Sequence, residues 1–290
     1  MTEKAESRIS LHQAMQQEKP LVVVGTINAY CAILARDAGF KALYLSGAGV
    51  ANASFGLPDL GLTTLTNVLE EAARITARVE LPLIVDADTG FGDPSKCCKA
   101  LENVGVAAMQ IEDQEARKRC GHRDGKTLVS TELMVDRIKS ALDGRTKSDF
   151  SIIARTDAYA NEGLDRAIER SQAYIEAGAD IIFAEALIQI EDYQRFSTEL
   201  SKPVLANITE FGKTSLYSVT ELAAANISLV LYPLTVFRAM NAVATESYRV
   251  LREQGSQVSL LDTLQSRAEL YQTLDYLKYE KEQDEDLSSE

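Results

Sequence analysis

Lys118-Arg119-Cys120-Gly121-His122-Arg123 sets a thiol among side chains that are cationic or can become so. Nearby positive charge favours thiolate over thiol, which makes Cys120 the expected reactive cysteine of the chain. Gly121 beside it lets backbone approach a ligand closely. The run follows an acidic strand end, Ile111-Glu112-Asp113, so it reads as a loop over a charged pocket. An exposed basic loop with an incidental cysteine is the alternative, because short basic runs are commonly solvated surface. A second constellation is Asp86 and Asp88, two residues apart at the end of an apolar run, so that both side chains project the same way. Two hard carboxylates aimed into one pocket suit Mg2+, which takes few protein ligands and keeps waters and substrate oxygens. A helix-capping aspartate beside a structural one is the alternative. Zinc suits the chain poorly, since its only histidines are His12 and His122, and His12 falls in an N-terminal helical stretch as a structural residue.

These groups need elements to hold them. Eight short β-rich apolar runs alternate with amphipathic stretches: Leu21–Asn28, Ala42–Gly47, Leu81–Asp88, Ala107–Asp113, Phe150–Asp157, Asp180–Glu185, Pro203–Thr209 and Leu229–Pro233. Continuous apolar cores such as Leu83-Ile84-Val85 suit strands buried on both faces of a parallel sheet. Between them, Asn67–Val79, Glu132–Asp143 and Leu164–Ala177 each carry an apolar stripe at helical spacing. Ser218 with Glu221 has capping-box spacing, and Gly39, Gly105 and Gly178 fall where a helix ends before the next strand. Eight β-then-α units predict a (β/α)8 TIM-type barrel. The rival is an open doubly wound sheet, but no Gly-x-Gly-x-x-Gly follows the first strand. The reading takes residues 1–277 as one domain, helical beyond Asn241, and 278–290 as a charged, frayed or disordered tail.

In such a barrel reactive groups gather at the C-terminal ends of the strands. The predicted ends carry Ser46-Gly47, Asp86-x-Asp88, Glu112-Asp113, Arg155-Thr156-Asp157, Glu185 and Asn207-x-Thr209, all expected at one mouth. A solvent-facing polar rim is the alternative. Asp59 and Glu112 are candidates to hold the waters of a metal at Asp86 and Asp88. Arg155, Arg238 and Arg267 can each clamp a carboxylate bidentately, though any one of them alone is more often a salt-bridge residue. Ser46, Gly47, Ala48, Asn207 and Thr209 can donate to a carboxylate from hydroxyl, amide or backbone. The composite is a site for a small polycarboxylate held through metal and arginine. The net charge of -13 argues against nucleic acid as partner. The four cysteines, the polar first ten residues and the lack of a long apolar run predict a cytoplasmic protein with free thiols and no membrane partner.

Lys118 to Arg123 resembles the active-site loop of the isocitrate lyase and phosphoenolpyruvate mutase superfamily, in the lyase branch that carries the cysteine. The likeness continues through Val24-Gly25-Thr26-Ile27-Asn28, Tyr44-Leu45-Ser46-Gly47, Val85-Asp86-Ala87-Asp88 and Asn207-Ile208-Thr209-Glu210-Phe211-Gly212. It covers almost the whole chain. It implies the same barrel with extra C-terminal helices, one of them packed on a neighbouring subunit of a homotetramer. It implies a Mg2+-dependent lyase that breaks the carbon–carbon bond beside the hydroxyl of a 2-hydroxy acid. Cys120, tuned by Arg119, His122 and Arg123, would protonate the carbanion left behind. Tyr44, or a carboxylate acting through water, would take the hydroxyl proton. Gly121, Glu185 and Ile208 join the substrate contacts in this reading. Phe183, Leu231 and Pro233 match the residues of a methyl-accepting pocket, with ordinary barrel packing as the alternative. The implied substrate is 2-methylisocitrate, cleaved to pyruvate and succinate in the 2-methylcitrate cycle of propionate catabolism. The short chain and the single lysine before Arg119 speak against isocitrate itself. Ala48, where many such lyases have glycine, is a departure that can narrow the carboxylate pocket. A lyase of 2,3-dimethylmalate is the enzymatic alternative, and a non-catalytic carboxylate-binding barrel is the other.

Overall fold

A computed structural model of the chain describes residues 8–115 and 125–288. Eight parallel strands close on themselves in sequence order. They are β1 (Leu21–Gly25), β2 (Ala42–Leu45), β3 (Leu83–Asp86), β4 (Ala108–Glu112), β5 (Ser151–Thr156), β6 (Ile181–Ala184), β7 (Val204–Asn207) and β8 (Leu229–Tyr232). The seam is β1 on β8, in register from Leu21 with Leu229 to Val24 with Tyr232. The helices are α1 (Leu11–Gln17), α2 (Ala29–Asp37), α3 (Gly47–Phe55), α4 (Leu65–Thr76), α5 (Pro94–Asn103), α6 (Thr131–Gly144), α7 (Tyr159–Glu162), α8 (Leu164–Glu176), α9 (Ile190–Glu199), α10 (Val219–Ala224), α11 (Thr235–Gln254), α12 (Arg267–Thr273) and α13 (Tyr276–Ser288). The barrel expected from the order of elements is the one present.

Side chains alternate across each strand, and here the two parities build two cores. Val24, Leu43, Leu45, Leu83, Val85, Met109, Ile111, Ile152, Ala154, Ile182, Val204, Ala206 and Val230 lie in the core between strands and helices. Leu21, Val23, Ala42, Tyr44, Ile84, Ala108, Ile153, Ile181, Phe183, Leu205, Leu229 and Leu231 fill the inside of the barrel. Leu11 and Ala14 of α1 belong to that inner core. Each fully buried aliphatic side chain contributes about 1.5–3 kcal/mol. Local signals hold the helices in place. Capping boxes start α1 at Ser10, α4 at Thr64 and α10 at Ser218. Gly25 lies against the carbonyl of Pro233, where an added Cβ would stand 1.7 Å from the oxygen, so only glycine allows β1 and β8 this approach.

The chain divides into two compact units, Met1–Phe237 and Arg238–Glu290. The second contains most of α11, a 3-10 turn over Val258–Thr263, α12 behind a Ser266 capping box, and α13. Where the charge run predicts a frayed tail, Tyr276–Ser288 is helical. Glu, Lys, Gln and Leu are good helix formers, and Lys281 pairs with Glu285 one turn on at 3.6 Å. Among the described residues no helix is long and apolar enough to cross a membrane.

Candidate active site

The inner parity of the strands continues past the apolar floor into polar side chains. Ile84 is followed by Asp86 and Asp88, Ala108 by Gln110 and Glu112, and Ile153 by Arg155 and Asp157. Phe183 is followed by Glu185, and Leu205 by Asn207 and Thr209. Asp86, Asp88, Gln110, Glu112, Asp157, Glu185, Asn207 and Thr209 are all buried. Period two therefore delivers them to the C-terminal mouth that the strand ends predict. The same period corrects that expectation at two residues. Asp113 and Thr156 have the outer parity and bond each other at 2.7 Å, and Tyr174 of α8 donates to Asp113 at 2.9 Å. They serve the helix layer, not the mouth. Burial and the charge of Asp157 push the Asp113 carboxyl above its ordinary value, against the hydrogen bonds it accepts.

Asp86 and Asp88 flank Gly47, the first residue of α3. A Cβ at Gly47 would stand 3.1 Å from Asp86 Oδ2 and 3.3 Å from Asp88 Oδ1, so the two carboxylates converge on a cradle kept open by glycine. The Gly47 amide donates to Asp86 Oδ2 at 3.2 Å. The other Asp86 oxygen accepts from the Asp88 amide at 3.1 Å and from Gln110 Nε2 at 3.3 Å. Asp88 reaches this position with φ 50, a left-handed conformation that aspartate tolerates better than most side chains. Among the described residues no three His, Cys, Asp or Glu side chains group closely enough to hold a metal on their own. An all-oxygen pair is the donor set of Mg2+, which completes its shell with water and substrate. Asp59 is half-buried on the turn between α3 and α4.

Tyr44 donates to Gln110 Oε1 at 2.5 Å, so Gln110 links the phenol to Asp86. Burial, then the charges of Asp86, Glu112 and Glu185, hold the Tyr44 hydroxyl well above its ordinary value, with Arg155 opposing. Tyr44 therefore stands as a protonated donor, an unfavourable state for a base. Arg155 is a cation at the mouth. It grips Asp157 through Nε at 2.9 Å and Nη2 at 3.1 Å, and lies 3.5 Å from Glu112 and 3.7 Å from Glu185. Its guanidinium lies 5.2 Å from the centre of the Phe183 ring. Lys126 bonds Asp157 at 2.8 Å. Asn207 donates to Glu185 at 3.4 Å, while its Oδ1 is buried with no hydrogen-bond partner among the described residues. An acceptor left so at a site mouth is suited to a ligand donor.

The remaining expected residues fall in several places. Ser46 is buried at the start of α3, followed by the half-buried Ala48. Leu231 and Phe183 are buried in the inner core, and Pro233 borders Gly25. Ile208 has the outer parity and packs toward the helices, and its amide donates to Leu231, so its side chain does not face the mouth. Arg238 lies on α11 and Arg267 begins α12, both in the second unit. Cys120, Gly121 and His122 lie outside the described residues. The described residues on either side of that segment are tied together: Glu115 N–H donates to Thr127 at 2.9 Å, and Gln114 bridges Leu128.

The family model described as phosphoenolpyruvate phosphomutase matches residues 10–251. The chain belongs to this family. A 2-methylisocitrate lyase of Shewanella oneidensis is 52% identical to it over 293 residues, which is 100% of both proteins. The solved structure of a 2,3-dimethylmalate lyase, 33% identical, matches 94% of each chain with a TM-score of 0.87. The complex of a phosphonopyruvate hydrolase with oxalate and Mg2+, 26% identical, matches 93% of this chain and 95% of that one with a TM-score of 0.82. The resemblance drawn from the cysteine segment holds, and this family member is a lyase. Sequence reasoning missed Gln110 and Lys126. The inner parity of Ala108 and Glu112 is a signal that could have found Gln110. Nothing in Gly125-Lys126-Thr127 marks Lys126 as a buried cation.

Proposed function

We propose that this lyase cleaves 2-methylisocitrate into pyruvate and succinate at the barrel mouth, with Mg2+ held by Asp86 and Asp88. The observation that carries the chemistry is the convergence of those two carboxylates on the Gly47 cradle. Glu112 and Asp59 support the metal's waters. Bound there, Mg2+ supplies a Lewis acid that lowers the pKa of the substrate's 2-hydroxyl. Arg155 pairs with a substrate carboxylate, and Asn207, Thr209, Ser46 and Ala48 donate or accept beside it. The described mouth holds Asp86, Asp88, Glu112, Asp157 and Glu185 against Arg155 and Lys126, so it is anionic by itself. A polycarboxylate needs more positive charge than this, which the metal and the basic cysteine segment would supply.

A carboxylate acting through water takes the hydroxyl proton, in preference to the protonated Tyr44. The carbon–carbon bond next to the new carbonyl breaks, and its electron pair stays on the succinate carbon. Cys120, with its thiol poised by His122 and the flanking arginines, delivers a proton to that carbon. Phe183, Leu231 and Pro233 receive the methyl group. One methyl separates this substrate from isocitrate, worth about 1–3 kcal/mol of discrimination. The likeness to the 2,3-dimethylmalate lyase favours that activity as the second reading. The place of the reaction is the 2-methylcitrate cycle of propionate catabolism.

The protein works as a cytoplasmic homotetramer in this reading. Cys31, Cys97 and Cys98 are free thiols, as a reducing compartment keeps them. The second unit exposes Tyr248, Val258, Leu261 and Leu277, apolar surface suited to a neighbouring subunit. The test is a product profile with Mg2+ on 2-methylisocitrate, isocitrate and 2,3-dimethylmalate in parallel. Pyruvate from the first with little glyoxylate from the second supports the assignment. Cleavage of dimethylmalate alone would replace it with the second reading, and no cleavage of any would leave a carboxylate-binding barrel.

A further inference from the structure

Among the described residues, the pair Lys126–Asp157 is the most deeply buried ion pair that touches the site, with side-chain exposures of 1% and 0%. A carboxylate has about four lone-pair positions, and Asp157 uses all of them. Its Oδ1 accepts from Lys126 Nζ at 2.8 Å and Arg155 Nη2 at 3.1 Å. Its Oδ2 accepts from Arg155 Nε at 2.9 Å and Gln114 Nε2 at 3.3 Å. Asp157 therefore has nothing left to offer a substrate. What it does is fix one whole edge of the Arg155 guanidinium, and a planar fork held by one edge has its plane set.

Two other carboxylates compete for the same guanidinium. Glu112 and Glu185 lie 3.5 Å and 3.7 Å from Arg155, close enough to attract it and too far for a good hydrogen bond. Arg155 faces three carboxylates, and Lys126 is the second cation bonded to the one that grips it. Burial works against an ionised Asp157, and Arg155 and Lys126 keep its carboxyl below the usual range. Apart from Arg155 itself, Lys126 and Gln114 are what hold the Asp157 carboxylate in place, so without Lys126 only the 3.3 Å bond from Gln114 fixes its orientation. The carboxylate would then be free to turn, carrying the Arg155 fork with it toward Glu112 and Glu185 and away from an incoming carboxylate.

We propose that Lys126 is a positioning residue of the lyase reaction, which acts through Asp157 to aim Arg155 at the substrate carboxylate. This rests on the reading of Arg155 as the carboxylate-binding cation. Lys126→Met should raise KM about tenfold while kcat stays within about threefold, because a charged hydrogen bond to a bound group is being misdirected. Lys126→Arg, which restores the charge, should recover most of that loss. In an Arg155→Met background the Lys126→Met change should alter KM by less than about twofold, since residues in one chain of contacts are not additive. Lys126→Gln, which keeps a donor without the charge, serves if the methionine variant folds poorly.

Full multiplication of the two effects would overturn the proposal, because Lys126 would then act independently of Arg155. An unchanged KM in Arg155→Met would overturn the role given to Arg155, and the role of Lys126 with it. A crystal structure of Lys126→Met decides the same point without any substrate. The proposal expects the Asp157 carboxylate turned and the Arg155 guanidinium displaced with it toward Glu112 or Glu185. An Arg155 guanidinium with unchanged plane and position would refute it, whatever the enzyme is found to cleave.

Discussion

Gly47→Ala adds one methyl group at the point where the two carboxylates meet. Its Cβ would lie 3.1 Å from Asp86 Oδ2 and 3.3 Å from Asp88 Oδ1, tighter than ordinary carbon–oxygen contact. Each oxygen has to give by a few tenths of an ångström, and Asp86 cannot move freely, because the Asp88 amide and Gln110 hold its other oxygen. Mg2+ demands near-ideal octahedral distances of about 2.0–2.1 Å, so shifts of this size count. Perturbing the groups that orient metal ligands typically costs about 10–100-fold in affinity, or roughly 1.4–2.7 kcal/mol. The fold should tolerate the change. Gly47 does not have a positive φ, so the backbone at the start of α3 accepts alanine without strain. The expected result is a Mg2+ activation constant raised 10–100-fold with an undiminished melting temperature. Titrating the rate of product release with Mg2+ reads the first, and calorimetric Mg2+ titration checks it without turnover. An unchanged activation constant in a stable variant would refute the cradle as the metal site.

Three further outcomes are expected. Cys120→Ser should lower kcat by about 10²–10⁴-fold, the usual contribution of a positioned acid, with unfolding unchanged; activity within threefold of the parent would remove Cys120 from the reaction. Mild alkylation of the native protein followed by mass spectrometry should label Cys120 ahead of the other thiols. Burial raises Cys31 and pushes Cys97 and Cys98 up to about 12, so native labelling at those three would contradict the account. The acid limb of stability should depend on Asp157. Burial would raise its carboxyl, but Arg155 and Lys126 bring it from 3.8 down to about 2, so its contribution is complete above 3.8 and is lost as pH falls through about 2. That window amounts to roughly 2 kcal/mol. Asp157→Asn should flatten urea-midpoint curves across it, and an unchanged slope would dismiss the assignment.

Much of the barrel is legible in the sequence because each strand carries a run of apolar residues long enough to be buried on both faces. Leu83-Ile84-Val85 is such a run, and both Leu83 and Ile84 are fully buried, one in each core. The convergence of two carboxylates is legible for a related reason: Asp86 and Asp88 share a parity, and both meet Gly47. Asp113 and Thr156 were misassigned because a strand end named as a cluster ignores that neighbours point to opposite faces. Ile208 entered through the resemblance and not through the strand ends, and its side chain has the same outer parity. Between Tyr44 and a carboxylate acting through water the sequence leaves the base open, since it does not show the Gln110 that accepts the Tyr44 hydrogen bond or the carboxylates that raise its pKa. Lys126 was invisible because its partner lies 31 residues away and only the barrel brings β5 beside the segment after β4. At the tail the two signals compete: a run of charge reads as a frayed end, while Glu, Lys and Gln are also strong helix formers, and Tyr276–Ser288 is helical.

The most direct measurement of the central claim is release of pyruvate and succinate from 2-methylisocitrate, followed with added Mg2+ and again with a chelator, for the parent protein and for Asp86→Asn and Asp88→Asn. The account predicts equal amounts of the two products, abolished by the chelator and reduced at least a hundredfold in either variant. Release that persists in the chelator, or that survives both substitutions, would contradict it.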